Sequence, residues 1–326
     1  METTKQNSPV DIGKKLTWLA IPSELAARIK GGSQGFAAMK KYFAAKNVDL
    51  FDRLVMEVIT DLSDTSTTAD PSAKSIDKVL ALQTEVCEKV CHLRHQGIFP
   101  LVISGDHSSA AGISAGLRKA HSDERIGIVY IDAHADLHSP YTSPSGNMHG
   151  MSLAIACGLD HINQAKNSPN PQTIELWNDL KALAGKVPAV DPQDVVFCAV
   201  RDIEKEEEQA MLEHGMVNHS VKSIRQIGIK NVVSKIINDL SHCDRIYVSF
   251  DIDSLDPDEA PGTGTPAKGG LSLKEVIELC SLLIREKKVC CWELTELNPV
   301  RDMDEKTVAN ACQLILAVTE ELLTYY

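Results

Sequence analysis

IGIVYIDAHAD, residues 126–136, joins an apolar run to a dense patch of charge. The run Ile126 to Ile131 is too short for a buried helix and has the β-branched content of a strand covered on both faces. Runs of the same kind stand at 16–21, 54–59, 101–104, 195–200, 246–250 and 289–292. Amphipathic or alanine-rich stretches at 72–94, 108–120, 272–285 and 305–323 lie between them and are long enough for helices. This alternation predicts the α/β class: one three-layer domain over residues 1–326, with a mostly parallel central sheet covered on both faces. Residues 1–15 read as a flexible N-terminal tail. The stretch 158–192, rich in Asn, Gln and Pro, reads as surface decoration with at most one helix. No repeat, low-complexity tract or linker divides the chain.

Composition narrows the class. Apolar residues make up 43% and charged residues 24%, as expected of a globular chain. No apolar run approaches the length of a membrane span, and the start METTKQNSPVDIGKK lacks the apolar centre of a secretion signal, so a cytoplasmic location and no membrane partner are expected. The 33 Lys and Arg against 45 Asp and Glu give a formal charge of −12, which repels a nucleic-acid backbone and draws in a small cation. Nine scattered cysteines, odd in number and mostly among apolar neighbours, read as reduced core residues. Cys87 and Cys91 stand four apart without a C-x-x-C, which argues against a thiolate zinc site.

In a parallel sheet the ligand site lies beyond the carboxyl ends of the strands. Here those positions are dense in metal-ligand types. GDHS after residue 104 places His107 at a helix start; DAHAD brings Asp132, His134 and Asp136; DIDSLDPDE opens with Asp251 and Asp253. Side chains alternate along extended backbone, so Asp132, His134 and Asp136 can share a face that Asp251 and Asp253 join from a neighbouring strand. Two neutral imidazoles and four carboxylates carry a formal charge of −4, the match of two divalent ions, and the oxygen-rich set suits manganese better than structural zinc. Read singly, His107 fits a capping or core histidine, and a D-x-D fits a turn or a solvated strand end. DAHAD is more specific, because burying such charges unpaired would be very costly and cation binding is the simpler account.

The segments SGDHS (104–108), DAHAD (132–136) and SFDIDSLDPDEAPGTGTP (249–266) resemble the signatures of the ureohydrolase family, over nearly the whole chain from Leu16 onward. The resemblance implies the arginase-type α/β fold and a binuclear manganese centre bridged by hydroxide, with cobalt or nickel as other occupants. By motif position, His107 and Asp136 would hold one ion, His134 and Asp253 the other, and Asp132 and Asp251 would bridge both. The implied reaction is hydrolysis of a guanidinium group: the nucleophile attacks the central carbon, and the departing amine then needs a proton donor. In SPSGNMHG (143–150), His149 stands where related sequences carry a proton-shuttling histidine, although a structural histidine at a helix start would look the same. Glu296 in TELNP resembles the family carboxylate that accepts hydrogen bonds from the guanidinium, and Thr265 would complete the pocket.

The SGN-x-HG segment is similar to arginases rather than agmatinases, and supplies Ser145 and Asn147 as contacts for an amino-acid head group, which favours L-arginine as substrate and L-ornithine and urea as products. Two positions depart from that pattern. His138 stands where arginases typically carry Asn, and Glu204 ends a segment that typically reads R-D-x-D; both would face the head group, where His138 can donate and Glu204 accept. The alternatives weighed are an agmatinase or other guanidino-acid hydrolase and, in a different class, a metal-loaded scaffold or regulator without catalysis. The resemblance also implies a homo-oligomer, trimer or hexamer.

Overall fold

The computed structural model describes residues 15–59 and 70–325. The tail assigned to residues 1–15 therefore lies, apart from Lys15, outside the described residues. Eight strands form one sheet: β1 (Leu16–Ile21), β2 (Val55–Val58), β3 (Phe99–Ser104), β4 (Ile126–Ile131), β5 (Val195–Cys198), β6 (Val217–His219), β7 (Arg245–Asp251) and β8 (Val289–Thr295). Their order is β2-β1-β3-β8-β7-β4-β5-β6, and every pairing is parallel. The central runs are continuous because both of their faces are covered, whereas β2, expected from the run at 54–59 to be such a strand, lies at the sheet edge and leaves Val55 and Val58 exposed. Along β4, Ile128 and Tyr130 join one core cluster while Val129 and Ile131 join the other, on the opposite side of the sheet. Helices Ile76–His95 and Ser109–Ala120 seal the first side; Gly35–Ala45, Leu273–Ile284 and Lys306–Tyr325 seal the second.

Register places the site. Ile103 pairs with Leu294, Leu294 with Phe250, and Phe250 with Ile131, so the four central strands end at one level. The residues that follow (Gly105 to His107, Asp132, Asp251 and Thr295 to Glu296) therefore emerge along a single edge. Strand β5 stops at Cys198 rather than running to 200, because Ala199 takes a positive φ of 72° and turns the chain across the sheet end. The three-residue edge strand β6 was not expected: Val-Asn-His has no apolar run to announce it.

The stretch 158–192 corrects the expectation of surface decoration. Its single α-helix, Pro171–Lys181, buries Trp177 and Leu180 in a cluster with Ile76, Val79, Met148 and Met151. Asp160 pins it by accepting hydrogen bonds from Trp177 Nε1 at 2.7 Å and Lys181 Nζ at 2.5 Å. Since Met148 and Met151 flank His149, this excursion backs the segment that carries it. All nine cysteines are free and buried, as read. Among the described residues no helix is long and apolar enough to cross a membrane.

Candidate metal centre and active site

The three strand-end clusters converge. His107 Nδ1 lies 3.0 Å from Asp132 Oδ2, 3.1 Å from Asp251 Oδ2 and 3.3 Å from Asp136 Oδ2. His134 Nδ1 lies 3.0 Å from Asp253 Oδ2 and 3.4 Å from Asp132 Oδ1. The donors thus form two neighbouring sets, His107–Asp132–Asp136 and Asp132–His134–Asp253, that share Asp132. Local backbone explains the convergence. A Cβ at Gly105 would fall 2.3 Å from the Ser23 carbonyl oxygen, so only glycine lets the chain turn into His107 there. Asp136 and Glu296 hold positive φ values of 50° and 63°, a strained conformation kept where both side chains must point inward.

A second layer orients the donors. His107 Nε2 sits 2.7 Å from Ser249 Oγ, which itself donates to Glu293 at 3.0 Å, so the ring proton belongs on Nε2 and Nδ1 presents its lone pair. Glu293, fully buried on β8, also accepts from Ser104 at 2.7 Å, Ser109 at 2.5 Å and the Tyr247 hydroxyl. The Tyr130 ring stacks on His107 with centroids 4.4 Å apart, and its hydroxyl donates to Asp136 Oδ2 at 2.6 Å. Replacing Glu293 with Gln is expected to weaken binding of manganese 10- to 100-fold, the usual cost of losing an outer partner of a ligating histidine. Manganese titration of the metal-free variant checks this; unchanged affinity would remove Glu293 from the design.

The protein groups alone leave the cluster unbalanced. Burial pushes Asp251 well above the usual carboxylate range, and Asp253 and Asp132 push it further. Burial and Asp132 likewise raise Asp253, and hold Asp136 at about 6. Both imidazoles, although burial disfavours their charge, are driven well above their ordinary value by Asp132 together with Asp251 or Asp253. Asp132, buried as well, is held low by His107 and His134. Protons thus take the place that cations would fill. His107 Nδ1 and Asp132 Oδ2 are buried without a hydrogen-bond partner of acceptable geometry, which is what a ligand atom aimed at an ion looks like from the protein side. The residues present therefore fit two divalent cations.

A cavity of about 200 Å³ opens onto this cluster, lined by Asp132, His134, Asp136, Asp251, Asp253 and Thr265 at its floor and by His149 at its side. Thr265 Oγ1 donates to Asp253 Oδ2 at 3.0 Å, so it steadies that carboxylate as well as closing the pocket. His149 Nδ1 meets Glu296 Oε1 at 3.0 Å; burial opposes its charge, but Glu296 overrides this and raises the ring to about 9. Glu296 also accepts from the His107 backbone N–H at 3.0 Å, and lies behind His149 rather than on the cavity wall.

At the outer end, Ser145, Asn147, His138 and Glu204 all line the cavity. His138 is already engaged, with Nδ1 3.1 Å from Thr142 Oγ1 and Nε2 3.2 Å from Glu204 Oε2. Sequence reasoning missed Ser143 and Glu207, which line the same end, and had Asp202 only as part of the segment Arg201, Asp202, Ile203, Glu204, without a role of its own. Glu207 is buried, accepts from Leu137 N at 3.1 Å and Glu204 N at 3.1 Å, and is pushed to about 8 chiefly by burial. Its only signal in the sequence is a capping spacing at a helix start, blurred by Glu206 and Glu208 beside it. Glu293 had a better one, a lone acid inside an apolar strand.

The fold and the paired donor sets define an α/β protein with a candidate imidazole–carboxylate cation centre at the carboxyl edge of a parallel sheet. Comparison with known proteins makes the class specific. The model of the Arginase family matches residues 19–319. The arginase of Bacillus subtilis (strain 168) is 31% identical over 309 residues, spanning 93% of this chain and 96% of that relative. That of Bacillus caldovelox is 30% identical, spanning 95% and 99%. The crystal structure of Entamoeba histolytica arginase in complex with L-ornithine superposes with a TM-score of 0.81 at 27% identity, over 94% of this chain and 98% of that one. The chain belongs to the arginase family.

Proposed function

We propose that this protein is a manganese-dependent amidinohydrolase that cleaves L-arginine to L-ornithine and urea. The observation that carries the reading is the pair of donor sets sharing Asp132, with His149 beside them and an open cavity above. Two divalent ions held by His107, Asp132, Asp136, Asp251, His134 and Asp253 would ionise a water they share and so supply a nucleophile near neutral pH. His149, held protonated by Glu296, is placed to give a proton to the departing amine. The acids Asp202 and Glu204 make the cavity's outer end a receptor for an α-ammonium group, and Ser145 and Asn147 offer polar contacts to the α-carboxylate. The relatives named above support arginine as substrate, and L-ornithine, the product of this reaction, is bound in the Entamoeba histolytica structure. The proposal extends to a cytoplasmic trimer or hexamer, on family resemblance alone.

One observation favours a second reading, agmatinase or another guanidino-acid hydrolase. His138 is spent on Thr142 and Glu204, which leaves it less free than an Asn to hold an α-carboxylate. Urea release from L-arginine, agmatine and 4-guanidinobutanoate, with metal content measured on the same sample, decides between them. Arginine turned over fastest supports the first reading, and either other substrate winning by tenfold overturns it. No urea from any of them after full loading with manganese, cobalt or nickel in turn would leave a non-catalytic binder.

A further inference from the structure

Arg201 lies two residues beyond the strained Ala199, and it does not line the cavity. Its backbone N–H and that of Asp202 both donate to the Ala133 carbonyl, at 2.8 and 3.0 Å, between Asp132 and His134. Its side chain is partly buried, and among the described residues every hydrogen bond of the guanidinium ends on a backbone carbonyl. Nη2 donates to Asp253 at 2.9 Å, Ala267 at 2.8 Å and Leu255 at 3.3 Å; Nε donates to Lys268 at 3.1 Å and Nη1 to Ala199 at 3.0 Å. A planar fork with fixed donor directions is thus used to tie three chain segments together, a task for which a lysine ammonium lacks the span.

Those segments meet on one side chain. The segment after β7 carries Asp253; the segment before Lys268 carries Thr265, whose hydroxyl holds Asp253 Oδ2. Ala133, tied to the Arg201 backbone, donates its own N–H to Asp253 Oδ1 at 3.1 Å. The guanidinium thus reaches the backbone of Asp253 itself and the segment whose Thr265 aims Oδ2, while the tie to Ala133, which aims Oδ1, is made by the Arg201 backbone and is kept whatever the side chain. Among the described residues nothing comparable connects Arg201 to His107 or Asp136, whose support comes from Ser249, Glu293 and Tyr130. We propose that Arg201 is the positioning residue of Asp253, so that its fork geometry governs retention of the ion that Asp253 and His134 would hold and not of the ion that His107 and Asp136 would hold. The inference rests on the metal-centre reading above.

Metal-free full-length protein, wild type and the Arg201→Ala and Arg201→Lys variants, is titrated with manganese alone and followed by the electron paramagnetic resonance signal of free ion. Wild type is expected to take up two ions. Each variant is expected to hold one with unchanged affinity and the other 10- to 100-fold more weakly, with Lys no better than Ala. At saturating manganese kcat should largely return with KM unmoved. Equal weakening of both ions, weakening of neither, or recovery in Arg201→Lys would overturn the proposal, the last by showing that charge suffices. A wild type that binds no manganese would instead overturn the metal centre itself. Should Arg201→Ala fail to fold, Arg201→Gln, which keeps an amide donor, carries the same test; failure of all three variants to fold would overturn the proposal by showing that Arg201 serves the whole fold.

Discussion

Asp132→Ala is expected to lose both metal ions and to cut urea release by about 10³-fold or more, a loss of roughly 4 kcal/mol in transition-state stabilisation at 1.36 kcal/mol per tenfold. Asp132 has this reach because Oδ2 faces His107 and Oδ1 faces His134, so one deletion opens both donor sets. Asp136→Ala, confined to the first set, should lose one ion only. Without metal the change should also cost stability. Burial and the neighbouring carboxylates oppose the charge of Asp132, yet His107 and His134 hold it low and are raised by it in turn, so its removal takes a partner from both imidazoles and this outweighs the repulsion relieved at Asp251, Asp253 and Asp136. Metal-free Asp132→Ala should therefore melt lower than metal-free wild type. Wild type should gain stability on adding manganese, roughly 2.7 kcal/mol per ion when free metal is 100-fold above Kd, and the variant should gain none. Thermal melts with chelator and with manganese, together with metal analysis, check each part. A variant that still bound two ions, or kept a tenth of wild-type urea release, would remove Asp132 from the centre of the argument.

The central half of the sheet and the six proposed ligands were legible in the sequence for one physical reason. A strand buried on both faces reads as an unbroken apolar run, and charge directly after such a run has no packing use. IGIVYI-DAHAD and the segment at 246–253 are cases of this. What escaped lacked that contrast. Strand β6 is three residues at an edge; Glu207 is one acid among several; Asp202 is exposed in a loop. The stretch 158–192 misled because composition reports average polarity, whereas packing is decided by a few residues, here Trp177 and Leu180. Arg201 was in view as part of a motif, but the targets of its guanidinium are carbonyls spread over residues 199–268, and backbone acceptors leave no mark on a sequence.

His149→Ala should keep both ions and lower kcat by about 10²- to 10⁴-fold, the range of a positioned proton donor. The geometry separates it from the metal centre: its Nδ1 is engaged by Glu296, it stands on a segment backed by Met148, Met151 and Trp177, and it belongs to neither donor set. The pH profile carries the sharper test. Wild-type activity should rise with pH as the nucleophilic water ionises, then fall as His149 loses its proton. Because the folded protein holds His149 up at about 9, the protonated form persists below that value and is lost as pH rises through it. The falling limb should thus lie no higher than about pH 9, since bound cations push the ring downward. In His149→Ala that limb should vanish, and added imidazole should restore part of the rate. Glu296→Gln removes the carboxylate that raises the ring, so its falling limb should move to lower pH, while metal affinity stays within a few-fold of wild type. Loss of metal in His149→Ala, or a falling limb that stays in place in both variants, would mean that the proton comes from elsewhere and that His149 serves only to pack the cavity wall.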